Sequence, residues 1–298
     1  MSEFALDLRL NPRESDPADS LGEFALNPAD SFSEHPIGIF DSGVGGLTVA
    51  REVIAALPGE NIVYFGDTAR VPYGSKSRET VTRYSRQIVG YLLTRGVKAV
   101  IIACNTASAL SCDALRAEYS VPIIEMVRHG VSGVVRSRGI RSVGVIGTEM
   151  TVRSDAYGAE LRRLRPDIRV ESRACPLFVP LAEEGWTDNA VAELTAREYL
   201  SGFAESGVDA LILGCTHYPL LAGVIGRAVP GAAIVNPAAA AAAETRSYLA
   251  ANGLLNESGK PPSYSFHVSD ATAKFGVICE RVLGRAYEPE VVDLDARG

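Results

Sequence analysis

The sequence has 298 residues, of which 47% are hydrophobic and 22% are charged, with a formal net charge of −7. These values are typical of a globular protein with one large or two medium domains. No apolar segment approaches the roughly 20 residues of a transmembrane helix, and there is no basic stripe, so a membrane-spanning protein is excluded and nucleic acid is disfavoured as the main partner.

The first 35 residues differ in composition from the rest of the chain. They hold eight acidic residues and two arginines, are rich in Ser, Pro, Asp and Asn, and show no regular hydrophobic period. Such segments bury too little apolar surface to fold, so we predict a disordered acidic extension over residues 1–35. The N-terminus lacks the features of a signal peptide, and five cysteines, an odd number, are typical of free thiols. We therefore expect a cytoplasmic protein.

From residue 36 onward, apolar β-branched segments alternate with helical patterns such as Thr80–Gly96 and Asn189–Gly207. This alternation indicates a parallel sheet with helices on both faces, either an open doubly wound sheet or a (β/α)8 barrel. The predicted strands are Ile37–Phe40, Ile62–Phe65, Ala99–Ala103, Val121–Met126, Val143–Ile146, Val170–Ala174, Ala210–Leu213 and Ala232–Val235.

An internal repeat favours two open sheets. Gly96–Ser108 (GVKAVIIACNTAS) aligns without a gap with Gly207–Pro219 (GVDALILGCTHYP). In the same order, Ile37–Gly46 aligns with Val143–Val152, and RVP at 70–72 aligns with FVP at 178–180. Matched segments in one order indicate a duplicated unit. We predict two α/β domains, each a doubly wound parallel sheet, related by a pseudo-twofold axis with the active site in the cleft between them; a duplicated half-barrel is the alternative. The predicted domains are 36–129 plus 241–298, and 130–240.

Two cysteines occupy equivalent positions in this repeat. Cys104 and Cys215 each follow a predicted buried strand and precede polar residues, Asn-Thr in one case and Thr-His in the other. Backbone N–H groups at a helix start stabilise a thiolate, so we expect the pKa of each thiol to fall. Two bases on opposite sides of one α-carbon suit racemisation, because one thiolate removes the proton and the opposite thiol delivers a proton to the other face.

Other interpretations of these features are weaker. An isolated cysteine after a strand is more often a core residue, which is how we interpret the three remaining cysteines, Cys112, Cys175 and Cys279. A zinc site needs about four ligands, and Cys215 with His217 supplies two. A pyridoxal phosphate enzyme needs a Schiff-base lysine, and of the four lysines only the one at position 76 is a candidate. We therefore predict neither a metal nor a cofactor.

Three motifs resemble those of the glutamate racemases, cofactor-independent enzymes that supply D-glutamate to peptidoglycan. They are DSGVGGL at Asp41–Leu47, CNT at Cys104–Thr106 and GCTHYP at Gly214–Pro219. The resemblance extends from about Pro36 to the late 280s and implies interconversion of L- and D-glutamate. Related aspartate racemases usually carry an acidic residue where His217 stands here. Two alternatives stay open: a racemase for another acidic amino acid, aspartate foremost, and a two-lobed amino-acid-binding module.

The resemblance also implies roles for single residues. Cys104 and Cys215 would transfer protons, assisted by Asp41, His217 and Glu183, although Glu184 follows Glu183 and leaves that last choice open. Some relatives carry N-terminal extensions linked to activation by a cell-wall precursor, which makes such an activator a candidate partner. We also expect a homodimer. The substrate glutamate would contact Asp41, Ser42, Tyr73, Gly74, Asn105, Thr106, Thr216 and His217. The sequence departs from the usual family pattern at three places: Glu125–His129, Met150 and Val235–Pro237.

Overall fold

A computed structural model describes residues 31–137, 139–271 and 273–297, which form two parallel β-sheets. The strands are β1 (Ile37–Asp41), β2 (Ile62–Gly66), β3 (Ala99–Ile102), β4 (Ile123–Glu125), β5 (Ser142–Gly147), β6 (Arg169–Ala174), β7 (Ala210–Gly214), β8 (Ala233–Val235), β9 (Tyr264–Val268) and β10 (Glu290–Val291). The first sheet has the order β10-β9-β2-β1-β3-β4, and the second has the order β6-β5-β7-β8.

Helices pack on both faces of each sheet. They are α1 (Leu47–Ala56), α2 (Arg78–Thr94), α3 (Asn105–Glu118), α4 (Met126–Val135), α5 (Glu149–Arg153), α6 (Ala156–Leu164), α7 (Phe178–Glu184), α8 (Ala190–Ser206), α9 (Ala222–Ala228), α10 (Pro237–Ala251) and α11 (Ala273–Leu283). Alternate residues of a strand point to opposite faces, so Ile39 packs with α1 and α11 whereas Phe40 packs with α2 and α3. Within the described residues, no helix has the length and apolar character that a membrane crossing requires.

The two sheets share one strand order. The order β2-β1-β3-β4 in the first sheet corresponds to β6-β5-β7-β8 in the second, and every neighbouring pair is parallel. The predicted pair of doubly wound, pseudo-twofold-related sheets is therefore confirmed. The half-barrel alternative is wrong, because both sheets are open and each has two edge strands. All eight predicted strands are present, with ends that shift by one or two residues.

Two strands, β9 and β10, are absent from the sequence-based prediction. β9 reads Tyr-Ser-Phe-His-Val, an alternation of aromatic or apolar and polar residues, and its first two residues are only partly buried. β10 has two residues, both exposed. Neither forms the continuous apolar segment that marks a central parallel strand, and both extend the first sheet on the outer side of β2.

We propose the domain boundaries 36–129 plus 241–298, and 130–240. Each sheet lies wholly within one of these units, and the chain crosses between them inside α4 and α10, which pack against each other. Glycine permits this close packing, because a Cβ on Gly130 would lie 3.0 Å from the Pro237 ring and 3.0 Å from the Tyr157 ring.

The predicted extent of the acidic extension is wrong at its C-terminal end. Residues 1–30 of that prediction lie outside the described residues. In contrast, Phe32–Glu34 forms a 3-10 turn on the first domain. The buried Lys98 ammonium donates to the Ser33 carbonyl, and the Asn61 side-chain amide donates to the Glu34 carbonyl at 2.7 Å. These acceptors hold the segment in place, which its acidic composition alone did not reveal.

Candidate active site

The two thiols lie at equivalent strand ends and face one cavity between the domains. Cys104 follows β3 and caps the N-terminus of α3, and Cys215 follows the last residue of β7. The cysteines are 5% and 6% exposed. The cavity brings together nine predicted site residues: Ser42, Tyr73, Gly74, Cys104, Asn105, Thr106, Cys215, Thr216 and His217.

The surroundings of Cys104 correct the expectation of a lowered pKa for this thiol. Its sulfur lies 3.6 Å from Ser42 Oγ and accepts the Ala107 N–H at 3.5 Å, as expected at a helix start. Burial nevertheless raises the pKa of Cys104 to about 12, and the charge of Asp41 acts in the same direction. Removal from water thus outweighs the helix start here, because an unpaired thiolate is poorly solvated inside a protein.

Cys215 is the end of a chain of three polar side chains. Its sulfur lies 3.8 Å from His217 Nδ1, and His217 Nε2 lies 3.1 Å from Glu183 Oε1. Burial alone would lower the pKa of His217, but the hydrogen bonds with Cys215 and Glu183 raise it to about 10. The imidazolium is therefore the favoured form, so a neutral His217 can take the proton of the Cys215 thiol, and the imidazolium can return it.

The two adjacent glutamates, Glu183 and Glu184, have different contacts. The Glu183 carboxylate contacts His217, whose hydrogen bond lowers the pKa of Glu183. The Glu184 carboxylate instead contacts the Lys274 ammonium at 2.6 Å, with both side chains more than half exposed. Only Glu183 can act on the thiol through the histidine.

We expect Glu183→Gln to move the alkaline limb of the kcat–pH profile to lower pH. Glutamine has no charge to favour the imidazolium, so His217 would lose its proton at a lower pH than the present value of about 10. Below the lowered pKa of the variant, His217 is the imidazolium in both proteins, so the acidic limb should stay in place. Racemisation rates between pH 6 and pH 11 measure the shift. Glu184→Gln is the matched control, and an identical profile for both variants would contradict a role for Glu183.

Asp41 connects the two domains at the carboxyl end of the central strand β1. It is fully buried at the end of β1, its carboxylate accepts the Gly43 N–H at 3.0 Å, and the Thr216 hydroxyl donates to it at 3.5 Å. Burial raises the pKa of Asp41, against opposing contributions from His217 and from backbone N–H groups. Its carboxyl group can therefore hold a proton close to the cavity.

A second set of contacts joins the domains around Asn105 and Thr106. The Tyr157 hydroxyl donates to Asn105 Oδ1 at 2.5 Å, and Thr106 Oγ1 lies 2.9 Å from Thr148 Oγ1 and 3.2 Å from Thr151 Oγ1. Each contact pairs a first-domain residue at the start of α3 with a second-domain hydroxyl. These polar groups are oriented before any ligand binds, which favours tight recognition of a small polar molecule.

Four residues that line the cavity are not among the predicted site residues, and the repeat contains the signal for two of them. Thr148 is the repeat counterpart of Ser42, and Val179 is the counterpart of Val71 in the aligned RVP and FVP segments. Extending the alignment from the cysteines to every cavity position would have identified both. Val71 and Pro72 line the cavity as well. Among the described residues, no group of three His, Cys, Asp or Glu side chains could hold a metal ion.

Comparison with known proteins agrees with this geometry. The family model for Asp/Glu/hydantoin racemases matches residues 38–245. A glutamate racemase from Geobacter metallireducens is 51% identical over 249 residues, which cover 83% of this chain and 92% of that protein.

Solved structures give the same result. A Francisella tularensis glutamate racemase in complex with D-glutamate superposes with a TM-score of 0.83 at 41% identity, over 89% of this chain and 99% of that one. The Escherichia coli glutamate racemase in complex with L-glutamate and the activator UDP-MurNAc-ala has a TM-score of 0.69 at 26% identity, over 86% and 97% of the two chains.

Proposed function

The chain belongs to the Asp/Glu/hydantoin racemase family and is active as a glutamate racemase, and we propose that Cys104 and Cys215 are the two bases of that reaction. The observation that supports this assignment is the position of two buried thiols at equivalent ends of β3 and β7, facing one cavity. The D-glutamate that the reaction forms supplies peptidoglycan synthesis, and we propose that the enzyme is cytoplasmic.

In the proposed reaction, the Cys215 thiolate removes the α-proton of L-glutamate, and the electron pair of the C–H bond stays on the substrate. The Cys104 thiol then donates its proton to the opposite face of the α-carbon, which gives D-glutamate. Cys215 is now a thiol and Cys104 a thiolate, so the enzyme is ready for the reverse reaction. The exchange balances, since one proton enters and one leaves the substrate.

Different groups return each thiol to its starting state. When His217 is neutral, it can take the proton of the Cys215 thiol through Nδ1, which forms a thiolate and an imidazolium that Glu183 stabilises. On the other side, Asp41 is the charged group whose field acts on Cys104, and its raised pKa suits it to accept a proton or to bind the substrate ammonium.

We propose that the substrate carboxylates bind to the donors around the cavity. Asn105 and Thr106 open α3, where backbone N–H groups and the helix dipole favour anions. Ser42, Thr148 and Thr216 contribute hydroxyl groups from both domains. Tyr73 and Gly74 close the cavity on the side of the first domain.

We expect the pure protein to racemise L-glutamate faster than L-aspartate, without added cofactor and after dialysis against a chelator. His217 beside Cys215 favours a glutamate racemase over an aspartate racemase. The two opposed thiols favour an enzyme over an amino-acid-binding module, because binding alone does not require them. Circular dichroism of each amino acid during incubation measures the two rates. Faster loss of the aspartate signal would support the aspartate alternative, and no loss of either signal would support the binding module.

We also propose an activator site in a second cavity, of about 250 Å³, between α3, α4 and α6. Arg116, Arg128 and Arg163 line it, and one Arg116 nitrogen, Nη1, is buried with no hydrogen-bond partner among the described residues. Burial lowers the pKa of His129 to about 4, and the charges of Arg116 and Arg128 act in the same direction. Three acidic residues line the cavity as well: Glu125 is the N-cap of α4, Glu160 pairs with Arg163 at 2.7 Å, and Asp113 is the third. Arg116 and Arg128 are therefore the two arginines that we propose for the ligand.

These features suit an anionic ligand such as the UDP-MurNAc-ala bound by the Escherichia coli protein. Helix α3 joins this cavity to the active site, because Cys104 caps its N-terminus. The nucleotide should raise the melting temperature of the wild type and leave that of Arg116→Gln unchanged, and equal shifts would place the site elsewhere.

We propose that the enzyme is a homodimer. Large apolar side chains are exposed in the segment 177–194 of the second domain, where Leu177 is 55%, Trp186 49% and Leu194 68% exposed. Exposed apolar side chains of this size are typical of contact surfaces. Light scattering should give the mass of a dimer for the wild type and of a monomer for Leu194→Glu, and a monomeric wild type would contradict the proposal.

A further inference from the structure

Asp67 is a fully buried carboxylate that the proposed mechanism does not use. It follows β2 directly, and its backbone N–H donates to the Asp41 carbonyl at 3.0 Å, so it lies at the same sheet edge as the active site. Its two oxygens accept hydrogen bonds from Arg70 Nε at 2.9 Å, from Ser269 Oγ at 2.7 Å and from the Tyr73 hydroxyl. A buried charge with this many partners holds its partners in fixed positions.

One of these partners belongs to the wall of the active-site cavity. Tyr73 is 1% exposed and lines the cavity together with Pro72 and Gly74. Burial and the neighbouring Asp67 carboxylate raise the pKa of Tyr73 well above its usual range, so its hydroxyl keeps the proton that it donates. The phenol is therefore a permanent donor, and Asp67 is its acceptor.

The cavity wall that Tyr73 belongs to also reaches the second domain. A Cβ on Gly74 would lie 2.7 Å from Thr148 Cβ, so the loop backbone contacts the end of β5 directly. On the other side, the Tyr73 ring lies 5.8 Å from the Tyr84 ring of α2, and the Arg70 guanidinium lies 4.1 Å from the centre of the Tyr84 ring. First-domain side chains thus support the loop on one side, and Tyr73 and Gly74 line the cavity on the other.

We infer that Asp67 is a positioning residue for catalysis, which acts by holding the Tyr73 hydroxyl and thereby the loop beside Cys104. Without this acceptor, part of the binding energy of the substrate would be spent on ordering the loop, and the apparent affinity would fall. The inference rests on the proposed function, because the loop matters only if the cavity binds the substrate.

A double-mutant cycle between Asp67 and Tyr73 tests the inference. Asp67→Asn keeps the size of the side chain but replaces an acceptor oxygen by a donor N–H₂ group, and Tyr73→Phe removes only the hydroxyl. We expect Asp67→Asn to raise KM for glutamate about tenfold, as for the loss of a hydrogen bond to a charged group, with a smaller change in kcat. In the Tyr73→Phe background, Asp67→Asn should raise KM by less than about twofold further, since the acceptor then has no partner to hold.

Asp209→Asn is the matched control, because Asp209 also accepts two hydrogen bonds, from the Arg141 and Ser142 N–H groups, outside the active site. It should leave KM unchanged even if it lowers the melting temperature. Additive effects of the two substitutions on KM, or a KM for Asp67→Asn equal to that of the control, would overturn the inference. If Asp67→Asn does not fold, Tyr73→Phe alone tests the inference, and an unchanged KM for glutamate in that variant overturns the inference. A wild type that does not racemise glutamate would instead contradict the proposed function.

Discussion

Each single substitution, Cys104→Ser or Cys215→Ser, should reduce racemisation by about 10³-fold or more while α-proton exchange survives on one enantiomer only. A serine hydroxyl stays protonated at a pH where an activated thiol ionises, so the variant loses one of its two bases. The remaining thiolate still faces one side of the α-carbon. Cys215→Ser should therefore exchange the proton of D-glutamate, and Cys104→Ser that of L-glutamate.

Proton exchange is the decisive measurement because kcat/KM cannot show which face of the α-carbon each thiol serves. The two enantiomers have equal free energies in water, so kcat/KM is the same in both directions for every variant of the enzyme. Incubation of each enantiomer in D2O, followed by NMR of the α-proton, reports each face of the α-carbon separately. Exchange of the same enantiomer by both variants would contradict the opposed-thiol mechanism.

Cys279→Ser is the matched control for these two variants. Cys279 is fully buried in the core formed by α1, α10 and α11, and it does not line the cavity. Its replacement puts a hydroxyl into an apolar core, which we expect to lower the melting temperature and leave racemisation in place. A loss of racemisation in this variant as large as in the other two would show that the serine substitutions act through folding.

The position of the thiols could be predicted from the sequence because it depends on the internal repeat and on the apolar strands that precede the two cysteines. Strand β3 and strand β7 are continuous apolar segments, and parallel strands place their carboxyl ends at one edge of a sheet. Two copies of such a unit bring Cys104 and Cys215 together. The same logic applied to Ser42 predicts Thr148, which we recognised only in the structure.

Features that depend on contacts between distant segments could not be predicted in this way. The pKa of Cys104 follows from burial and from Asp41, and neither quantity has a local sequence signal. One of the hydrogen bonds that Asp67 accepts comes from Ser269, which lies 202 positions later in the chain.

Gly45→Ala should lower kcat about 100-fold, because the first domain would then push His217, a proposed catalytic residue, out of place. A Cβ on Gly45 would lie 2.4 Å from Thr216 Oγ1, 2.5 Å from His217 Cε1 and 2.6 Å from His217 Nδ1. His217 Nδ1 is the atom that faces Cys215, so the substitution displaces the group that handles its proton. Overpacking of this kind typically destabilises by about 1–3 kcal/mol, which the fold can tolerate.

Gly90→Ala is the control that isolates the steric effect. Gly90 lies inside α2 with nothing within 4 Å of an added Cβ, so alanine there should stabilise the helix by about 1 kcal/mol and leave kcat unchanged. Measured kcat values and melting temperatures compare the two variants. A wild-type kcat for Gly45→Ala would show that the two domains need not approach this closely during catalysis.

The handedness of the residual exchange in Gly45→Ala would show which half of the site has moved. The added methyl group meets Thr216 and His217, whereas Cys104 keeps its contacts with Ser42 and Ala107. We therefore expect exchange on L-glutamate, which Cys215 serves, to fall far more than exchange on D-glutamate. Equal losses on both enantiomers would instead indicate that the whole cleft opens, because opening separates both thiols from the substrate at once.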